Sequence, residues 1–533
     1  MTAFGLVSFP AAASPTPQAI PGAGLFTASY LLSISIWVPI AVAIVIAIMP
    51  NSRGRYDTVI KQIAFFTNLG VMFLVFIAYN QFQAFLPNVQ YEEKIAWLPS
   101  IGAVYHLGVD GPGIVLLVLS GLVGIIAVLA SLGVRERVRS YFALLLVAQS
   151  FVTGAIAAHD LFVLALFWSA AAVPLTLLVL GWGGPRREAA AWRFAGYWGA
   201  GSIVLILAVL GIFVATGASS FDMDVVLKSA MGPRAQVIVG LAIIVAAATR
   251  LPLFPLHGWA RDLYSEAPLG VIVIVAGSAT RLGAYLVLRV LVAAEPDGAR
   301  LLSPLIGGLA AITVAYGAIA AMRATDLRHA GAYLALIPGG VTALGLAALT
   351  PLSITGSVLA LFTGGMASAL IVGICNTVSD RAQTRSIAQL SGLAPRMPKL
   401  AWLMVLAALG LLGVPMMATY TSDVMMFFGA FKTQPVAAFA VAAGLGLTAL
   451  ALGVVLQRVL FGAPNPDAPA VSDASLGETW YLALLAGALL WVGLVPGGPK
   501  LPGTDSPLFD PGLLNVMVAD VPEITAPYTG AGP

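Results

Sequence analysis

Apolar runs of roughly twenty residues, the length that crosses a bilayer as a helix, recur along the whole chain. Fourteen are legible, at 28–49, 61–82, 110–131, 140–158, 160–181, 194–216, 235–256, 267–291, 301–322, 329–349, 355–377, 399–422, 435–457 and 479–497. The polar stretches between them are short, apart from Gln83 to Val109 and a Pro-, Ala- and Asp-rich stretch from Gly462 to Glu478. The pattern predicts an all-α polytopic membrane protein of about fourteen helices, numbered here in chain order. Beyond Pro496 the chain is rich in Pro and Gly and carries Asp505, Asp510, Asp520 and Glu523, an acidic tail.

Composition narrows the function classes. Of 533 residues, 59% are hydrophobic and only 9% charged, whereas a soluble domain carries about 25% charged residues. Mean hydropathy is +0.96. A soluble enzyme, a nucleic-acid binder and a disordered scaffold are excluded. The net charge of +3 is spread along the chain and points to no acidic partner. Cys375 is the sole cysteine, so this chain alone holds no disulfide framework, iron–sulfur cluster or Cys-rich zinc site. Cys375 reads as a buried thiol. Met1 to Gly24 contain no Lys or Arg, lack the basic start of a secretory signal, and read as a short mature tail.

Lys and Arg divide unevenly among the loops. Loops after odd-numbered helices hold 17, even loops and the tail hold 7, and Arg250 and Arg281 fall inside spans. Positive charge marks the cytoplasmic side, which places the odd loops inside and both termini outside, with Ser52 inside and Asn88 outside. Two spans carry interruptions. Helix 7 reads Thr249-Arg250-Leu251-Pro252-Leu253-Phe254-Pro255, and helix 12 reads Gly410-Leu411-Leu412-Gly413-Val414-Pro415. Proline removes a backbone donor and clashes with the preceding turn. Interruptions at matching places in two halves point to an inverted repeat. Helices 4–8 (140–291) and 9–13 (292–462) form two five-helix units, each broken in its fourth helix. Residues 1–139 hold the tail and helices 1–3, and 463–533 hold a linker, helix 14 and the acidic tail.

An ionisable side chain inside a bilayer costs at least about 2.5–3.5 kcal/mol and is a functional hypothesis by default. Arg250 lies at the helix 7 break. Arg281 lies mid-helix 8, about ten apolar residues from either end, where snorkelling is hard. Asp423 closes helix 12 or continues it beyond its break, and is a candidate partner for the arginines. His257, Asp262 and Glu266 lie between helices 7 and 8. The blander alternative for each arginine is a static ion pair. His159-Asp160, between helices 4 and 5, reads as a solvated turn.

At helices 7 and 8 the residues become specific. Arg250-x-Pro252-x-x-Pro255-x-His257-x-Trp259-x-x-Asp262-x-x-x-Glu266-Ala267-Pro268, followed by Arg281-x-Gly283-x-Tyr285-x-x-x-Arg289, resembles the signature of the antiporter-like subunits of respiratory complex I, the M type (chain 4) above all. Relatives occur in multi-subunit cation/proton antiporters and membrane-bound hydrogenases. Further matches follow in order: Trp97-Leu98-Pro99-Ser100, Tyr105-His106-Leu107-Gly108-Val109-Asp110-Gly111, Asp160 to Trp168, Thr325-Asp326-Leu327-Arg328, Thr384-Arg385 and Arg458-Val459-Leu460-Phe461-Gly462. The resemblance covers nearly the whole chain. It implies fourteen helices with two inverted five-helix repeats, and proton transfer along a hydrated midplane driven by quinone reduction elsewhere. It implies a bacterial inner membrane, and L-, N- and K-type membrane-arm partners. NADH, flavin, iron–sulfur clusters and quinone are then expected in partner subunits, with no cofactor, metal or nucleic acid bound by this chain.

The family's relay residues are mostly replaced. The helix 5 glutamate falls at Ser169, the helix 7 and helix 8 lysines at Arg250 and Arg281, the helix 10 histidine at Pro338, the helix 11 histidine at Gly364, and the helix 12 glutamate at Asp423. A relay needs groups that titrate near neutral pH. Deprotonating arginine, with a reference pKa of at least about 12.5, takes roughly 7.5 kcal/mol at pH 7. Moving one charge against about 150 mV takes only about 3.5 kcal/mol. The resemblance therefore implies a membrane-arm subunit with an impaired or altered proton path. The alternatives are a structural spacer paralogue without pumping, and a subunit of a cation/proton antiporter or a membrane-bound hydrogenase.

Overall fold

A computed structural model of the chain describes residues 30–51, 54–83, 89–226, 229–463, 472–494 and 521–529. Ser52, Asn88, the N-terminal tail and most of the acidic tail lie outside these. The elements in chain order are α1 (Leu31–Ile48), α2 (Asp57–Gln81), β1 (Gln90–Leu98), β2 (Ala103–Val109), α3 (Gly111–Ala130), α4 (Val138–Ala157), α5 (Leu161–Trp182) and α6 (Arg187–Thr216). They continue with α7 (Pro233–Arg250), α8 (Gly258–Glu266), α9 (Leu269–Val292), α10 (Pro296–Arg323), α11 (Leu327–Ala347) and α12 (Pro351–Arg381). The last are α13 (Pro398–Leu412), α14 (Ala418–Thr433), α15 (Pro435–Leu460), α16 (Leu476–Leu494) and α17 (Val521–Thr529).

Thirteen helices among the described residues are long and apolar enough to cross a membrane, against the fourteen expected. The difference is expected helix 12. It is two shorter helices, α13 and α14, separated at Gly413–Met417, where Gly413 adopts φ +60° and Pro415 cannot continue the helix. Expected helix 7 ends early, at Arg250, ahead of Pro252 and Pro255, and a further short helix, α8 (Gly258–Glu266), occupies the stretch expected as the loop before helix 8. Two irregularities have no counterpart in the expectations. α9 contains π-helical turns at Val275–Ala279 and Val287–Val292, on either side of Arg281; such turns are rare and frequent at functional sites. α11 breaks between Leu334 and Ile337, and Pro338 opens its second half, where a missing N–H is tolerated.

α9, α11 and α12 form the axis of the molecule. Their most apolar stretches are 94–100% buried, against 28–33% in the outer helices α2, α6, α15 and α16. Arg281, Pro338 and Gly364 are therefore core positions. Helices hydrophobic all round belong at such an axis.

The stretch expected only as a polar gap contains a β-hairpin. β1 and β2 pair antiparallel, with Glu93 opposite Leu107 and Ile95 opposite Tyr105. Gly102, at φ +76°, closes the turn; a Cβ there would lie 2.6 Å from the Ser219 carbonyl oxygen. The hairpin is bonded to the α4–α5 turn through His159 N–H to the His106 carbonyl (2.9 Å), and to the segment after α6 through Phe221 N–H to the Gly102 carbonyl (3.0 Å). Buried Glu93 accepts from the Leu32 and Ser33 N–H groups at the start of α1, where a carboxylate offsets the helix dipole.

Odd-numbered loops meet on the opposite face. Glu266 accepts from Arg385 (2.7 Å) and lies 3.5 Å from Arg186, and Arg328 bonds Asp380 and the Ser265 carbonyl. α17 belongs to the hairpin face, since Tyr528 Oη donates to the Val292 carbonyl at 2.7 Å. The start of α1 and the helix α17 thus lie on the same face as the hairpin.

Candidate functional site

Arg250 is the last residue of α7 and is fully buried. Two prolines stop the helix just beyond it, which holds its side chain at the break rather than along a continuing turn. One guanidinium nitrogen donates to the Trp168 carbonyl of α5. The guanidinium carbon lies 3.7 Å from the Trp198 ring centroid and 4.5 Å from that of Trp168. Desolvated contacts of this kind are worth about 2 kcal/mol. Nε and Nη1 have no hydrogen-bond partner, and no carboxylate lies within 4.0 Å among the described residues. Ser169, next to Trp168, turns its hydroxyl back onto the Ala165 carbonyl (2.7 Å). At this point α5 therefore offers Arg250 only the Trp168 backbone carbonyl.

Arg281 is 1% exposed. Its Nε reaches Thr280 Oγ1 at 3.3 Å and its Nη2 reaches Ser368 Oγ of α12 at 3.4 Å; Ser368 in turn donates to the Ala335 carbonyl in the α11 break. A Cβ on Gly364 would lie 3.1 Å from Arg281 Nη1 and 3.1 Å from Pro338 Cβ. Arg281, Pro338 and Gly364, three sequence-selected positions on α9, α11 and α12, converge on one site.

Asp423 is not the partner of either arginine. It sits on α14, half-buried, with Oδ2 2.6 Å from where a Cβ of Gly413 would be. It thus lies over the α13–α14 break, and the arginines take other partners: Arg250 a carbonyl and two indole rings, Arg281 two hydroxyls. His257 stacks against Phe254 (centroids 5.5 Å apart) and packs tilted against Tyr316 (4.5 Å); burial pushes its pKa down. Asp262 bonds Arg193 and Arg261. Burial raises the Glu266 carboxyl, but Arg385 and Arg186 outweigh this and hold it below the ordinary value. Asp262 and Glu266 therefore belong to an ion-pair network joining loops on one face.

His159 and Asp160 do not form a solvated turn. They are 2% and 0% exposed, because the hairpin covers the α4–α5 connection. His159 Nδ1 lies 3.1 Å from Arg289 Nη2, and Arg289 Nη1 lies 2.6 Å from Asp110 Oδ2. Burial first, then Arg289, push His159 down to about 4. Sequence reading missed this cluster, which also includes His106, Asp222 and Asp224. The Asp222-x-Asp224 spacing was its only local signal. It also missed Glu295, fully buried at the start of α10 with both oxygens unpartnered.

Broken helices beside buried charges, set in a ring of long apolar helices, define an integral membrane protein of transporter architecture. Residues 158–450 match the transmembrane family described as NADH:quinone oxidoreductase/Mrp antiporter. The chain belongs to that family. Chain 4 1 of the NAD(P)H-quinone oxidoreductase of Synechococcus sp. strain JA-2-3B'a(2-13) is 30% identical over 442 residues, 82% of this chain and 83% of that one. Subunit M of the NADH-quinone oxidoreductase of Rickettsia conorii is 28% identical over 472 residues, 87% of this chain and 95% of that one. The fold is shared with a chain of Thermus thermophilus respiratory complex I (TM-score 0.77, 24% identity, 92% of this chain and 99% of that one). It is shared equally with a chain of the Mrp complex from Dietzia sp. DQ12-45-1b (TM-score 0.79, 18% identity, 95% and 99%).

Proposed function

We propose that this chain is a membrane-arm subunit of a complex I-like NADH–quinone oxidoreductase, and that protons do not pass through its core by way of titrating side chains. The redox cofactors then belong to partner subunits, and L-, N- and K-type subunits are its neighbours in the membrane. The quinone-oxidoreductase assignment is supported by relatives of 28–31% identity over more than four-fifths of this chain. It is favoured over antiporter or hydrogenase membership because the Mrp likeness, at 18% identity, speaks for the fold alone. The odd loops face the cytoplasm in this reading, and the division at 139, 291 and 462 marks the two five-helix units.

One observation carries the altered path. Arg250 and Arg281 are buried, and each is held by neutral acceptors with no carboxylate in reach among the described residues. A lysine–glutamate pair can exchange its counter-ion and lose a proton; an arginine clamped on a carbonyl, a hydroxyl or an indole ring keeps its charge. Ser169, Pro338 and Gly364 supply no titratable group to replace it. The subunit then acts as a sealed spacer that keeps the membrane arm continuous.

Membership is tested by tagging this chain in its native membrane, purifying under mild detergent and identifying what accompanies it. Quinone- and NADH-binding subunits together with NADH–quinone reductase activity are expected. Co-purification with antiporter subunits alone, or with a nickel–iron hydrogenase, overturns the assignment.

A further inference from the structure

One cluster of titratable side chains lies outside the helix core and has no part in the function above. β2 supplies His106, the α4–α5 turn supplies His159, and the segment after α6 supplies Asp222 and Asp224. They include two of the chain's four histidines. One donor atom from each lies within 4.8 Å of the other three. His106 Nδ1 is 3.1 Å from Asp222 Oδ2, and His159 Nε2 is 3.1 Å from Asp224 Oδ1. Zinc bonds of about 2.0–2.2 Å in a tetrahedron set ligand atoms roughly 3.3 Å apart. Each His–Asp pair already spans one edge of such a tetrahedron.

A second observation concerns His106, which is 1% exposed. Its Nε2 is buried without a hydrogen-bond partner, and Glu92 Oε1 stands 3.9 Å away. A histidine that binds metal through one ring nitrogen usually donates its other N–H to a carboxylate. With Nδ1–H bonded to Asp222, Nε2 is a buried lone pair facing an anion. With a metal on Nδ1, the proton moves to Nε2 and faces Glu92.

We propose that His106, His159, Asp222 and Asp224 bind one divalent transition-metal ion, zinc being the best match to two imidazoles and two carboxylates. The four ligands carry two negative charges when the imidazoles are neutral, which a divalent ion balances. Two cations compete. Lys94 Nζ lies 2.5 Å from Asp222 Oδ2, on a side chain that is 51% exposed, so it swings into solvent when the ion enters. Arg289 gives up His159 Nδ1 and keeps Asp110. Both imidazoles change tautomer, and no proton leaves the site. The bound ion joins the hairpin, the α4–α5 turn and the segment after α6, three pieces of chain far apart in sequence.

The test uses the full chain in detergent, without a histidine tag and stripped by chelator, titrated with Co(II) as a spectroscopic probe. One Co(II) per chain with a tetrahedral visible spectrum, displaced by Zn(II), is expected. Asp224→Asn, at the solvent edge of the cluster, should weaken binding at least about tenfold. Lys94→Gln removes a like charge and should tighten it at least about tenfold. Absence of a tetrahedral spectrum in the unmodified chain, or wild-type affinity in both variants, overturns the site.

Discussion

Gly364 leaves the space that the Arg281 guanidinium fills: a Cβ at residue 364 would lie 3.1 Å from Arg281 Nη1. The two positions sit on different axial helices, α12 and α9, and Pro338 of α11 closes the third side at 3.1 Å from the same point. Small residue and large cation are therefore one packing unit. Placing a histidine at 364 should overpack it, which typically costs about 1–3 kcal/mol. Gly364→His is expected to lower the thermal unfolding temperature of the detergent-solubilised chain. The double variant with Arg281→Ala should recover part of that loss. Strict additivity of the two single effects would show that the positions are not coupled.

Arg250 is held by a carbonyl and two indole rings, a fit that depends on a planar, delocalised cation. Lysine cannot reproduce both contacts. Arg250→Lys should therefore destabilise the chain by about 2 kcal/mol, the scale of a desolvated cation–π contact. In a Trp198→Leu background the same substitution should cost less, because the ring 3.7 Å away is already gone. An equal cost in both backgrounds would remove Trp198 from the Arg250 site.

Glu295 connects buried charge to pH. Burial pushes its carboxyl up to about 8, so the folded chain holds this proton where the unfolded chain has lost it. Between the unfolded value near about 4.3 and the folded value, protons bound are fewer in the unfolded state, and stability falls as pH rises. Glu295→Gln should flatten the unfolding temperature between pH 5 and pH 8. A wild-type profile that does not fall across this window, or a variant that falls equally, contradicts it.

Orientation can be read with single cysteines, since Cys375 is buried and silent to aqueous reagents. Glu188→Cys, exposed at the start of α6, should label from the cytoplasm, and Gln83→Cys, exposed beyond α2, from outside. The opposite pattern would reverse the assignment of faces.

Much of the architecture was legible because bilayer-length apolar runs are a strong signal. Pro252 and Pro415 revealed their breaks because proline acts locally. The π turns of α9 were hidden, since nothing in Val275–Ala279 or Val287–Val292 differs in type from ordinary apolar helix. The hairpin was hidden by its modest alternation, and with it the burial of His159. The arginines were legible as candidates, but their partners were not. Charge complementarity suggested Asp423, whereas geometry gave Arg250 the Trp168 carbonyl and Arg281 the Ser368 hydroxyl.

The proton-to-electron ratio decides whether the core conducts. It is measured in sealed vesicles containing assembled complexes with Arg281→Ala in this chain, alongside the amount of complex assembled. Removing a packed, buried cation should reduce assembly, while every complex that does assemble should keep the wild-type ratio. A ratio lowered by one subunit's share of pumping, with assembly intact, would contradict the sealed core and make Arg281 part of a working proton path.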